Sequence, residues 1–510
     1  MNTIRRTRPS EKAAPIQPPP PDLFIAVGVP ALPAAVMLAL SVWGLDRGMW
    51  WDEITTYEAA TREFGELWKL LHTVDAVHGL YYLLMHAVLP PGEGDAVLLR
   101  LPSVLGMTLA VAGTAAIGRR LAGARTGVLA GLVLALSPLA SHYAQEGRSY
   151  ALVTAAVVLA SLLFLRAVEK PSAARWAGYA AAVILATGLH LFAVLILLPH
   201  GVCLAAARAP WRTARRWLMA ALAVALCVLP FGLLARRQAG QVGRLDPTSV
   251  KSVGFLVHEF IGPGIAAGAL ISALVIVGIR GPAGIRVLAL PWLVVPSAVL
   301  LTYSFFQPAF HPRYVLHSLP ALALLAAAGI DTVARAAARR LPRRLNVRRG
   351  GRPVVGFGLV LIAALLVLHL PGQLTERTAT SRNDDQTAAA ELIGAFARSG
   401  DAVVFRPATK RGLTSVYRRE FSLVSDVLQV TTPADAGNLS GQEAPAHDIR
   451  RLLLGHDRIW VLDRSGVTAD TSAAWQVKEQ VLRDEYRRTW MREVTGLRVS
   501  LYVRKNTNSP

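Results

Sequence analysis

The sequence contains only two cysteines, Cys203 and Cys227, and both sit inside apolar runs. Two isolated thiols exclude a disulfide framework and leave no thiolate cluster to build a metal site on. Acidic residues are scarce as well, 33 Asp and Glu against 54 Lys and Arg, a net charge of +21. Such a surplus raises nucleic acid as a partner. The basic residues, however, collect in short loops between apolar segments and form no basic domain, so no nucleic acid is expected. Polar surface is the largest deficit. Charged residues make up 17% of the 510 positions, hydrophobic ones 53%, and the mean hydropathy is +0.40. That is more apolar side chain than a soluble protein buries, and the chain reads as a polytopic membrane protein.

Residues 1–22, with Arg5, Arg6, Arg8 and the run Pro18 to Pro21, read as a disordered basic cytoplasmic tail. Residues 23–43 are apolar for about one bilayer thickness, roughly 20 residues, and read as a retained anchor, because many further spans follow and no small-residue cleavage site does. Ten more candidate spans lie at 97–118, 126–141, 150–166, 176–189, 191–207, 217–235, 262–279, 287–303, 314–330 and 354–370, eleven in all. With a cytoplasmic N terminus, five basic loops fall inside: Arg119 to Arg125, Arg166 to Arg175, Arg208 to Arg216, Arg280 to Arg286, and Arg335 to Arg352. Nothing in the choice of spans forces that agreement with the positive-inside rule. It sends the loop 44–96 outside, with 142–149, the turn near His190, 236–261, 304–313 and everything after 370. The apolar stretch 80–90 is too short to span and reads as an interfacial or re-entrant helix in the first outer loop.

From 371 to 510 the pattern changes to polar helices and short β-rich runs, a small soluble α/β domain on the extracytoplasmic side. Gln386 to Arg398 reads as an amphipathic helix capped by Asp384-Asp385, and Leu497 to Val503 alternates like a strand with one buried face. No phosphate loop, nucleophile elbow or metal-ligand spacing occurs there, so packing or acceptor recognition is the expected role. The fold class is thus an all-α membrane domain over 23–370 followed by a small α/β domain.

The expected outer loops hold most of the unusual polar residues. The first carries Asp52, Glu53, Glu58, Asp75, His78, Tyr81 and Tyr82; the second reads His142-Tyr143-Ala144-Gln145-Glu146-Gly147-Arg148-Ser149-Tyr150; the fifth ends His311-Pro312-Arg313-Tyr314. Carboxylates, imidazoles and guanidinium groups from three loops at one membrane level are how a site between helices is built. The mixture suits a lipid-linked phosphosugar. Arg100, Arg148 and Arg313 match phosphate oxygens with a fixed fork and stay charged, stabilising a phosphate leaving group. A carboxylate, Asp52 or Glu53, takes the proton of an attacking acceptor hydroxyl as general base.

These stretches resemble the GT-C membrane glycosyltransferases, in the branch of the protein O-mannosyltransferases and lipid A aminoarabinose transferases. Trp51-Asp52-Glu53 resembles the acidic motif of their first outer loop. Asp75-Ala76-Val77-His78-Gly79-Leu80-Tyr81-Tyr82 resembles their His-Pro-Pro-Leu-Tyr-Tyr segment, shortened, with Gly79 in place of the first proline. Leu99-Arg100-Leu101-Pro102-Ser103 opens the next span. Gln145-Glu146-Gly147-Arg148 differs from the commoner Gln-Glu-Ala-Arg in one small residue, and Arg313-Tyr314 resembles the Arg-Tyr near the end of the membrane part. The resemblance covers about 23–370. It implies transfer of a mannose-like hexose or related sugar from a polyprenyl-phosphate donor on the outer face, with inversion, to a glycan, glycolipid or protein hydroxyl. Asp52 is then the base and Glu53 its partner, with His78, Tyr81, Tyr82, His142, Gln145, Glu146 and Tyr314 around donor phosphate or sugar. No cofactor is required by it. The family divides on metal use, and a divalent cation held by Asp52 and Glu53 stays open.

Plainer readings exist for each residue. Arg100 would snorkel to the headgroups, Arg148 and Glu146 would pair in a surface turn, and Tyr81 and Tyr82 would belong to an aromatic belt. A transporter or flippase of lipid-linked sugars would share the many spans and the acidic outer site. Transporters, though, favour midplane sites in two related halves, and no internal repeat is evident here.

Overall fold

A computed structural model describes residues 23–238, 240, 248–341, 352–466 and 472–505. The tail expected over 1–22 lies outside the described residues. The apolar runs form helices because a backbone in lipid satisfies its own hydrogen bonds only that way or in a closed barrel. Among the described residues six helices are long and apolar enough to cross a membrane: Ala96–Ala122, Tyr150–Glu169, Trp211–Arg237, Ala283–Ser304, Pro312–Arg339 and Arg352–Thr375. Two bent pairs raise that to eight. Ala124–Leu136 meets Pro138–Ala144 at 67°, and Val250–Ile261 meets Ile265–Ile279 at 88°. Prolines cause both breaks, Pro138 after Ser137 and Pro263 between Gly262 and Gly264. Every expected span falls on a helix, but Val27–Val42, Ala173–Leu189 and Leu191–Ala206 are shorter, so length and composition do not support the expected eleven.

The helix Leu319–Arg339 is the central post. Every residue from Leu319 to Asp331 is buried, against Ala124–Leu136, Ile265–Ile279 and Ala283–Ser304. At its far end Asp331 is bound by Arg125 at 2.5 Å and by Arg335 at 2.7 Å, which ties two of the basic loops together.

The segment 44–96 is not an open loop. It folds into helices Trp51–Ala60, Phe64–Thr73 and Gly79–Val88, with a single 3-10 turn Ala76–His78 before the last. The 80–90 stretch is indeed too short to span, and its Tyr81 and Tyr82 are buried instead of forming a belt.

Among the described residues the C-terminal part carries seven strands: β1 Asp401–Arg406, β2 Val424–Asp426, β3 Gln429–Thr431, β4 Gln442–Glu443, β5 Arg458–Arg464, β6 Tyr486–Val494 and β7 Leu497–Arg504. Five form a mixed sheet in the order β2-β1-β5-β7-β6, with β1 parallel to both neighbours and β7 antiparallel to β5 and β6. Strands β3 and β4 make a separate antiparallel pair. β7 buries Leu497, Val499 and Leu501 on one face, and the helix Gln386–Phe396 packs against it. Asp385 caps that helix by accepting from Ala388 N at 3.0 Å, while Asp384 turns away toward the membrane part.

Candidate active site

Asp52 and Glu53 occupy the first turn of the helix Trp51–Ala60, where the dipole favours negative charge. Adjacent helical residues point about 100° apart, so the two acids face different surroundings. Glu53 is fully buried. Its carboxylate accepts from Arg100 Nε at 2.7 Å and Nη2 at 2.6 Å, from Gly147 N at 2.8 Å and from Trp50 N at 3.3 Å. Arg100 donates its remaining N–H groups to the carbonyls of Leu45, Arg47 and Gly48 at 2.7, 2.8 and 3.0 Å. All five donors are engaged, so Arg100 neither snorkels nor presents a free fork to a phosphate. This is a correction to its expected place at the donor. Glu53 and Arg100 fasten the segment before the helix to the span Ala96–Ala122.

Asp52 points elsewhere. Arg313 Nη1 donates to Asp52 Oδ2 at 3.2 Å, and each side chain is 21% exposed. The guanidinium of Arg313 lies 5.7 Å from the ring centroids of both Tyr150 and Tyr314, and its Nε has no partner. Arg148 is buried beside the same helix. It donates from Nη1 to Thr56 Oγ1 at 3.1 Å and from Nη2 to His78 Nε2 at 2.8 Å, again with Nε unpartnered. Burial works against the Arg148 cation, but Asp52 and the neighbouring tyrosines and Asp75 more than offset it, so its pKa rises. Burial first, then Arg148, holds His78 well below its usual value, which keeps Nε2 free to accept. The plainer alternative, an Arg148–Glu146 pair in a surface turn, is not what forms: Arg148 is buried and bonds to Thr56 and His78.

Further buried polar atoms without a hydrogen-bond partner are His78 Nδ1, Glu146 Oε1 and Ser149 Oγ. Buried polar groups usually find partners, so these atoms keep hydrogen-bonding capacity in reserve.

The other expected residues divide. Tyr82 donates to Asp75 Oδ2 at 2.8 Å, beside His78. Tyr314 packs on His190 and, with it, near Arg313. Gln145 holds the end of the first helix, donating to Ser41 O at 2.8 Å and Trp43 O at 2.7 Å. His142 lies between Glu376 at 2.8 Å and Glu146 at 3.3 Å. It borders a cavity of about 600 Å³ walled by Leu139, Ile265, Ala267, Leu368 and Pro371, with Glu376 at the polar end. Glu53, with both oxygens on N–H donors, is not free to share a cation with Asp52. Among the described residues no three His, Cys, Asp or Glu side chains are grouped to hold a metal.

Sequence reasoning passed over Thr56 and Lys410, read Asp384 only as a helix cap and named His190 only as part of an outer turn. Tyr150 stands inside a quoted motif but was not singled out. Lys410 and Asp384 lie more than three hundred residues from Asp52, and no periodic signal marks them.

The many-helix bundle, its two bent helix pairs and the acid-bearing helix packed under a sheet-containing domain make up a fold known from solved structures of other proteins. Two solved structures share it: ArnT from Cupriavidus metallidurans bound to undecaprenyl phosphate, 15% identical with a TM-score of 0.55, and the apo state of the same protein, 16% identical with a TM-score of 0.54. Each alignment covers 93% of this chain and 98% of that one. The apo oligosaccharyltransferase from Archaeoglobus fulgidus aligns at 12% identity and a TM-score of 0.49, over 96% of this chain and 75% of that one. The family profile described as dolichyl-phosphate-mannose-protein mannosyltransferase matches residues 65–233. No curated protein sequence matches the chain.

Proposed function

We propose that the protein transfers a mannose-like hexose or related sugar from a polyprenyl-phosphate donor to a cell-envelope acceptor hydroxyl, with inversion and with Asp52 as general base. The observation that carries this reading is the Asp52–Arg313 pair, partly exposed, with the buried cation Arg148 bound to Thr56 on the same face of the helix. The acceptor O–H gives its proton to Asp52 as its oxygen attacks the anomeric carbon. The bond from that carbon to the phosphate oxygen breaks, and the polyprenyl phosphate leaves with the electron pair. The unpartnered Nε atoms of Arg313 and Arg148 are suited to meet its developing charge. Glu53 holds the first turn of the helix that carries Asp52 in place. The positive-inside reading of the basic loops supports a cytoplasmic N terminus, with residues 23–370 as the membrane domain and 371–510 as an extracytoplasmic domain. A lipid-linked donor is in keeping with the undecaprenyl phosphate bound to the ArnT of like fold, and the apolar walls of the 600 Å³ cavity accommodate an amphiphile.

The test supplies membranes holding wild-type or Asp52→Asn protein with labelled polyprenyl-phosphate mannose, glucose, arabinose and aminoarabinose. Label moves into envelope glycan, lipid or protein with wild type and not with the variant. Equal transfer by both removes Asp52 as the base. Wild-type proteoliposomes that carry the donor across the bilayer without transferring label favour a flippase.

A further inference from the structure

The segment Arg47–Trp51, which leads into the helix Trp51–Ala60, lies between two parts of the chain that read it from opposite sides. From the membrane part, Arg100 takes the carbonyls of Arg47 and Gly48. From the C-terminal domain, Thr387 Oγ1 accepts from Met49 N at 2.8 Å and Gln386 N donates to Met49 O at 2.9 Å. Asp384 Oδ1 then accepts from Trp51 N at 2.8 Å, the peptide N–H next to Asp52. Gly48 permits the approach: a Cβ there would stand 2.3 Å from Asp385 Oδ1. Lys410, in the turn after β1, completes the contact. Its ammonium is 2.9 Å from Asp384 Oδ2 and 4.4 Å from the centroid of the Trp51 ring, and its side chain is 5% exposed. A buried lysine is costly unless paired, and this one is buried against the residue that precedes the proposed base. Burial lowers its pKa, and Asp384 and then Asp52 act to keep it charged.

We infer that Asp384 and Lys410 are positioning residues: the C-terminal domain is part of the catalytic unit, and it sets the direction of Asp52 by gripping Trp51 through its peptide N–H and its indole face. The inference rests on the proposed transfer reaction. It assigns the domain a task other than packing or acceptor choice. Two further contacts hold the domain in register, Val416 O accepting from Gly94 N at 2.9 Å and Asn438 O accepting from Arg62 Nη2 at 2.6 Å.

The experiment uses the full-length protein in nanodiscs, as wild type, Lys410→Met, Lys410→Arg and Asp384→Asn. Hydrogen exchange is followed at the Met49 and Trp51 amides, and turnover with whichever polyprenyl-phosphate sugar supports wild-type transfer. Lys410→Met is expected to speed exchange at Trp51 at least tenfold, without loss of protection in β1, β5 and β7. A displacement on the order of 1 Å at the base should lower kcat by roughly 10²-fold with the donor KM within about twofold. Lys410→Arg, which keeps charge, pairing and ring contact, restores both. Asp384→Asn keeps an acceptor for Trp51 N but loses the ion pair, and falls between. Unchanged exchange at Trp51 in Lys410→Met overturns the inference, as does kcat within twofold of wild type, or a loss confined to KM. If wild type transfers no sugar, the reaction reading fails by itself, and the exchange data still decide whether the grip exists.

Discussion

Two carboxylate–guanidinium pairs begin one residue apart, and they are built for opposite purposes. Glu53 and Arg100 are 0% and 1% exposed, and every charge-bearing atom has a partner. Asp52 and Arg313 are each 21% exposed, meet through a single 3.2 Å contact, and leave Arg313 Nε without a partner. A saturated buried pair fixes geometry, since breaking it strands a charge. An unsaturated, partly exposed pair has hydrogen-bonding capacity left. On the proposed reaction, that difference separates scaffold from chemistry within one helical turn.

The sharpest break in that comparison is chemical. Asp52→Asn keeps the size of the side chain and a contact to Arg313 but removes the proton acceptor. Transfer should fall by roughly 10²- to 10⁴-fold, while the melting temperature in detergent stays near wild type. Glu53→Gln should do the reverse. It leaves the Arg100 cation buried without its counter-charge, a loss of about 3–5 kcal/mol, read as lower yield and an earlier melt of the whole protein. Should Glu53→Gln instead fold normally and lose only kcat, the assignment of the two acids is the wrong way round.

A smaller effect probes the wall between the pairs. Gly147 gives its N–H to Glu53, and a Cβ at that position would stand 2.5 Å from Leu99 Cγ, which is fully buried. Gly147→Ala should therefore cost about 1–3 kcal/mol by overpacking, with Leu99→Ala in the same chain relieving part of it. No such coupling would mean that the glycine is there for another reason.

Much of this was legible in the sequence, for identifiable reasons. Apolar runs and basic loops gave every span a helix, because lipid leaves the backbone few alternatives. The strands at Ala402–Phe405, Arg458–Asp463 and Leu497–Val503 were visible from their β-rich composition and alternation. Asp52 and Glu53 looked equivalent because the segment was read as a loop; a helix starting at Trp51 is what parts them. Arg100 and Arg148 were both cations near span ends, and only the saturation of one by groups 47 to 55 residues away distinguishes them. The Lys410–Trp51 contact depends on how a soluble domain settles on a membrane one, which no local pattern encodes.

The least disruptive test concerns the second cation. His78 accepts from Arg148 only while its Nε2 is unprotonated, and its pKa in the fold is well below the ordinary 6.5, from burial and then Arg148. The unfolded chain binds a proton near pH 6.5, whereas the folded one resists it. The stability that neutral His78 contributes is therefore complete above about pH 6.5 and declines as the pH falls from there toward the folded value. The slope is at most about 1.4 kcal/mol per pH unit for one proton. Thermal melts between pH 7.5 and 5 should show a shallower acid decline for His78→Gln than for wild type, because glutamine accepts from Arg148 without titrating. Identical slopes would mean that His78 titrates alike in the folded and the unfolded chain, and at acid pH Arg148 would then have to find its acceptor elsewhere.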